Sequence, residues 1–198
     1  EGIEQIHSGN QLLLADRGTG AEDMANLAYP WNISPEALTV VEARVRVVDS
    51  NDPLGVCIRV NNSAAVEYLT LSKDRIGLYF AKLSCPLDTA SDMHTYRIIL
   101  KGNDIRVYVD GTLKLDGAGK FTTAASNRKE GVEAILDSDW KKNSLLFGSA
   151  TGPGTGEACW EYIKYIKYST EGKSVDLQDF IVAVNYLTAQ EKAKNIAE

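Results

Sequence analysis

The stretch HTYRIILKGNDIRVYVDGTLKL, residues 94–115, decides the fold. Tyr96 to Leu100 reads as a strand, and Lys101-Gly102-Asn103-Asp104 reads as a turn. Ile105 to Val109 is the next strand. Asp110-Gly111 then makes a two-residue hairpin into a third strand, Thr112 to Leu115. A type I′ turn needs positive φ at both central positions, which Asp tolerates and Gly favours. Three consecutive strands joined by tight turns make a β-meander.

The same period of two extends to both sides. From Thr39 to Val48, the residues Thr39, Val41, Ala43, Val45 and Val47 point one way. Glu42, Arg44 and Arg46 point the other, as in an antiparallel strand with one core face. Leu54, Val56, Ile58 and Val60 repeat the pattern, opposed by Cys57, Arg59 and Asn61. Val66 to Leu71 and Arg75 to Phe80 read as further strands around a Ser72-Lys73-Asp74 turn. Leu115 to Asn143 is loop-rich, with strand or short helical character around Gly131 to Leu136. Ser144 to Phe147 and Ala158 to Tyr168 are strands flanking the Gly/Pro loop at 151–156.

The last segment changes period. Leu177, Phe180, Ile181, Val184 and Leu187 fall at helical spacing, with Asp176 as N-cap and Asp179 in the first turn. The expectation is an all-β, two-sheet antiparallel jelly-roll sandwich over residues 1–170 and a C-terminal helical segment over 171–198. The apolar stripe of that helix must pack on the sandwich or on a missing neighbour.

Composition sets further limits. A chain of 198 residues suits one domain, and 44% apolar with 24% charged residues excludes a disordered chain. The formal charge is −6, from 21 basic and 27 acidic residues with no basic block, which excludes a nucleic-acid binder. The longest apolar run, Phe180 to Val184, is too short for a membrane span. The chain starts at Glu1 with no initiator Met, basic n-region or apolar core, so either a targeting segment was removed or the sequence was trimmed. Cys57, Cys85 and Cys159 form no CxxC pair or Cys/His cluster, which argues against zinc and reads as three small apolar residues.

The HTYRIILKGNDIRVYVDG stretch resembles the laminin G-like, concanavalin A-like jelly rolls, where a strand beginning with an aromatic-Arg pair leads to a V-Y-V-D-G hairpin. SLLFGSATGPGTGEACWEYIKYIKY, residues 144–168, is similar to the closing pattern of that group. There an F-G dipeptide and a small-residue loop precede a strand carrying Trp, an acidic residue and Tyr, matched here by Phe147-Gly148 and Trp160-Glu161-Tyr162. Leu38 to Val48 matches the opening strand. The resemblance implies two antiparallel sheets packed face to face and a carbohydrate-binding or adhesive role outside the cell. That means secreted, periplasmic or cell-surface, commonly in bacterial polysaccharide-processing systems. The superfamily hosts both lectins and hydrolases.

A glycoside hydrolase needs a protonated and an ionised carboxyl group flanking the scissile bond. The E-x-D-x-x-E strand that supplies them in jelly-roll glucanases does not occur. Asp137 and Asp139 stand at i, i+2 in a D-S-D-W stretch that reads as an exposed turn. His94, at the start of a strand, reads as structural. Calcium is the one cofactor the residues allow: Asp16, Asp23, Asp137, Asp139 and Glu161 are chemically suitable, without compact ligand spacing. An EF-hand register with Gly172 at the sixth place puts Lys167 at the first, which excludes that loop.

Sugar recognition sets aromatic faces against pyranose rings and fixes the hydroxyls with polar groups. Trp31 and Trp140 lie in polar, loop-like contexts and are the expected platforms, with Tyr29, Tyr68 and Tyr79 as weaker ones. Trp160, on a strand, is expected in the core. Arg44, Arg46 and Arg59 are candidates to line one sheet face and meet carboxylated sugars, against a solvated face of cross-strand ion pairs. The expected ligand-binding set is Trp31, Trp140, Tyr79, Arg59, Asp137 and Asp139, with a glycan as partner and no catalytic residue. The expected function is a non-catalytic accessory module of a polysaccharide-processing system. The alternatives are a jelly-roll hydrolase or lyase with a non-standard site, and a structural or protein-interaction domain.

Overall fold

The computed structural model describes residues 3–8, 10–18, 20, 24–31, 33–125, 144–150, 154–168 and 174–176. The N-terminal part forms β1 (Ile3–Ser8), β2 (Gln11–Asp16) and β3 (Asn26–Pro30). Next come β4 (Leu38–Ser50), β5 (Cys57–Asn61), β6 (Val66–Ser72), β7 (Arg75–Leu78) and β8 (Leu83–Pro86). The meander is β9 (His94–Lys101), β10 (Asp104–Val109) and β11 (Thr112–Gly117). Last are β12 (Ser144–Gly148), β13 (Gly156–Tyr168) and β14 (Ser174–Asp176).

The strands build two antiparallel sheets. One has eight strands, ordered β1-β2-β13-β4-β9-β10-β11, with β14 pairing β13. The other has six, ordered β3-β12-β5-β6-β7-β8. The chain crosses between sheets after β2, β3, β4, β8, β11 and β12, so many of the strands that meet are distant in sequence. The expected core face of β4 is buried throughout, from Thr39 to Val47. Ile58, Val60, Leu69, Leu71, Leu145 and Phe147 answer it from the six-stranded sheet. Phe147 meets Trp160 across the core at 4.8 Å between ring centroids, which joins the two motifs of the closing pattern.

The hairpin at Asp110-Gly111 has φ of 48° and 81°, positive at both residues as a type I′ turn requires. Asp110 also reaches back to β9: its carboxylate accepts the Thr95 amide at 2.9 Å and contacts His94 Nδ1 at 2.6 Å. The second ring nitrogen of His94 lies 2.8 Å from the Asp88 carbonyl, which fixes the ring as a clasp at the start of β9.

Five strands go beyond those expected: β1, β2, β3, β8 and β14. Asp176, expected as an N-cap, ends a strand that pairs with Lys167 of β13. The helix expected from Leu177 lies outside the described residues. Among the described residues no helix is long and apolar enough to cross a membrane.

Candidate functional site

The two faces of the six-stranded sheet carry different chemistry. On β5, Ile58 and Val60 enter the core, while Cys57, Arg59 and Asn61 take the outer face by alternation. The register sets Arg59 between Leu146 of β12 and Tyr68 of β6. The Tyr79 amide donates to the Tyr68 carbonyl at 3.0 Å, one step past the end of β7. Leu146, Arg59, Tyr68 and Tyr79 therefore form a row across the sheet.

Arg59 is only 3% exposed. Its Nη2 donates to Ser144 Oγ at 2.6 Å, and its buried Nε has no hydrogen-bond partner. Burial pushes the guanidinium's pKa down, opposed by Tyr68 and Cys57. Burial drives the Tyr68 phenol up to about 12, so it stays protonated at neutral pH. Asn61 accepts the Ser144 amide with its side chain.

At the far end of the row the surface opens. Tyr79 is 36% exposed and packs edge-on against Tyr68 at 6.2 Å and Phe80 at 5.2 Å. The Lys82 ammonium stands 4.6 Å from the centroid of the Tyr79 ring. The turn that presents them is held from below by Glu67, which faces the core and is 1% exposed. Its carboxylate accepts the amides of Tyr68, Phe80 and Ala81, each at 2.8 Å. Burial raises the Glu67 pKa, and the three amides and Lys82 pull against that rise. Lys82 itself has φ of 55°, a left-handed conformation that costs an ordinary side chain about 1–2 kcal/mol.

The outer face of the eight-stranded sheet carries ion pairs. Glu42 accepts two bonds from Arg97, at 2.6 and 3.0 Å, and one each from Lys164 and Tyr162, at 3.0 Å. Burial raises its pKa, but these partners outweigh burial and hold it below the usual range. Arg44 pairs with Glu161 at 2.6 Å.

The structure gathers part of the expected site and disperses the rest. Tyr79 and Arg59 share a face through Tyr68, the residue that joins the two and that the sequence ranked low. Trp31 lies in the core at 4% exposure, edge-on to Tyr165 at 5.4 Å, with its indole N–H donating to the Asn61 carbonyl. Its ring offers no open face, a correction with a plain cause: Trp31 follows directly on the last residue of β3, and Tyr165 of β13 packs against it. Arg44 and Arg46 do not share a face with Arg59, because β4 and β5 belong to different sheets. Asp137, Asp139 and Trp140 lie outside the described residues. Among the calcium candidates, Asp16 is buried with Oδ1 accepting the Gly18 amide, Glu161 is held by Arg44, and Asp23 lies outside the described residues. No group of three His, Cys, Asp or Glu side chains that could hold a metal occurs among the described residues.

The architecture is a jelly-roll sandwich of two antiparallel sheets. Among solved structures, the chain is similar to the family 7 alginate lyase A1-II′ with its substrate GGMG bound, at a TM-score of 0.52 and 10% identity over 90% of this chain and 84% of that one. It is also similar to the cellulose-induced protein Cip1, at a TM-score of 0.53 and 12% identity over 83% and 86%. At these identities the likeness is one of fold. No protein-family model matches the chain, and neither does any curated protein.

Proposed function

We infer that this protein is a non-catalytic, extracytoplasmic glycan-binding module of a polysaccharide-processing system, with the outer face of the six-stranded sheet as its binding surface. The observation that carries this reading is Tyr79: an aromatic ring open to solvent, braced by two other rings, with a cation beside it. Such a ring supplies the stacking surface that a pyranose needs at little entropic cost. Two proteins of the same fold point the same way: one is an alginate lyase with bound substrate, the other is induced by cellulose.

The commitments of the polar groups support binding over turnover. Hydrolysis needs an acid and a base, and polyuronate elimination needs a base. Beneath this face the Glu67 carboxylate is spent on backbone amides, and on it Tyr68 is held as the neutral phenol. Trp140, Asp137 and Asp139 are further proposed ligand contacts on their residue types alone, and calcium is the ion the two carboxylates would take.

A glycan array with and without calcium, run on the wild type, Tyr79→Ala and Trp140→Ala, tests the reading. Binding lost by about tenfold or more in Tyr79→Ala is the expected result. Silence of the wild type toward every glycan, or release of unsaturated or reducing ends from a polysaccharide, would overturn it.

A further inference from the structure

We propose that the turn Tyr79–Lys82 is a subsite for a sugar bearing an anionic substituent, a carboxylate or a sulfate, with the ring of Tyr79 taking the pyranose and the ammonium of Lys82 taking the charge. The inference rests on the glycan-binding reading and names the chemistry of that site.

Three features of the turn converge. First, Lys82 is exposed, yet it occupies a left-handed backbone conformation, φ 55°, where glycine would cost less. A lysine is kept where the backbone argues against any side chain, which points to use of the side chain. Second, the conformation is imposed from beneath. Glu67 sits in the core under the turn and gives both carboxylate oxygens to the amides of Tyr68, Phe80 and Ala81. A core carboxylate loses its hydration, so its place there is favourable only because three donors meet it in fixed positions. The turn is thus rigid before any ligand arrives, and preorganisation lowers the entropy cost of binding.

Third, the charge is poised. The ammonium lies 4.6 Å from the Tyr79 centroid, a contact with the ring quadrupole in place of an ion pair. No salt bridge from Lys82 to a carboxylate occurs among the described residues, whereas Lys73 and Lys164 both have such partners. A cation–π contact at an exposed site is weak enough to yield to an anion. A pyranose stacking on Tyr79 displaces the ammonium from the ring, and the ammonium meets the sugar's anionic group a few ångströms away. A neutral sugar displaces it with nothing in return. The site therefore selects for charge.

The test is binding of soluble polygalacturonate, dextran sulfate and unsubstituted dextran to the intact chain by titration calorimetry. It uses the wild type, Lys82→Gln, Lys82→Arg and Tyr79→Ala, with thermal melting as the folding control. The expected result is binding of one or both polyanions at least tenfold tighter than dextran. That preference should fall about tenfold in Lys82→Gln, persist in Lys82→Arg and shrink with added salt. Carboxylate alone, sulfate alone or both would name the source of the charge. Equal binding of dextran and the polyanions, or a preference unmoved in Lys82→Gln, overturns the subsite and leaves the glycan-binding reading standing. No binding of any of the three, together with a silent glycan array, overturns both.

Discussion

Glu42 binds two cations and a phenol: Arg97, Lys164 and the Tyr162 hydroxyl all converge on it. Its folded pKa lies below the ordinary 4.5, so the folded state binds the proton less readily than the unfolded chain does. By linkage, Glu42 adds stability that is complete above the unfolded value and is lost as pH falls through the lower folded one. Asp110, held low by His94 and the Thr95 amide against the pull of burial, acts in the same direction. Glu67 acts oppositely, because burial raises its pKa and stability grows as it takes up a proton. Glu42→Gln should cost about 2 kcal/mol at neutral pH, since it leaves Arg97 and Lys164 facing a neutral amide. It should also flatten the acid limb of a denaturation curve measured between about pH 5 and pH 3. An acid limb as steep as that of the wild type would show that the network does not set acid stability.

Elements succeed or fail by their tightest points. At the Asp110-Gly111 turn, Gly111 has φ of 81° with open space where a Cβ would stand. Gly111→Ala should therefore cost only the left-handed penalty, about 1 kcal/mol in a urea titration. Gly156 is different: a Cβ there would overlap the carbonyl of Gly55, so β13 and the loop before β5 would have to part. Gly156→Ala should cost several times as much as Gly111→Ala, and equal costs would mean that the close approach is loose. The same contrast explains what the sequence revealed. β4 and the meander were legible because one face is buried and the other wet, so period two survives in the composition. β5 was half legible: Cys57, Arg59 and Asn61 were placed on the face opposite the core, but they are buried too, and no alternation reports that. β2 carries a run of three leucines, while β3 and β8 are short and end in proline, so none of them alternates cleanly. Tyr79 reads as a weaker platform within a strand over Arg75 to Phe80, whereas that strand ends at Leu78 and Tyr79 opens the turn. The burial of Trp31 was hidden because its cover, Tyr165, comes from the far end of the chain.

At the scale of the molecule, the sandwich closes through pairs that span nearly its whole length, such as β2 with β13 and β3 with β12. High sequence separation makes the formation of such a body slow. Cys57 reports on it, because it is fully buried on the outer face of β5 and burial drives its thiol up to about 12. Only the thiolate reacts, so Cys57 is inert while the six-stranded sheet stays closed. All three cysteines are free thiols, so no disulfide supports the fold and a reductant should leave the thermal midpoint unchanged. With Cys85 and Cys159 replaced by serine, Cys57 should react with an aromatic disulfide reagent at mildly alkaline pH only as fast as the whole protein unfolds, followed by tryptophan fluorescence. Labelling that outruns unfolding would mean that the face carrying Arg59 and Tyr68 opens on its own. In that case Arg59, enclosed as it stands, would become accessible to a ligand without disruption of the core, and the binding surface would extend from Tyr79 inward along the row.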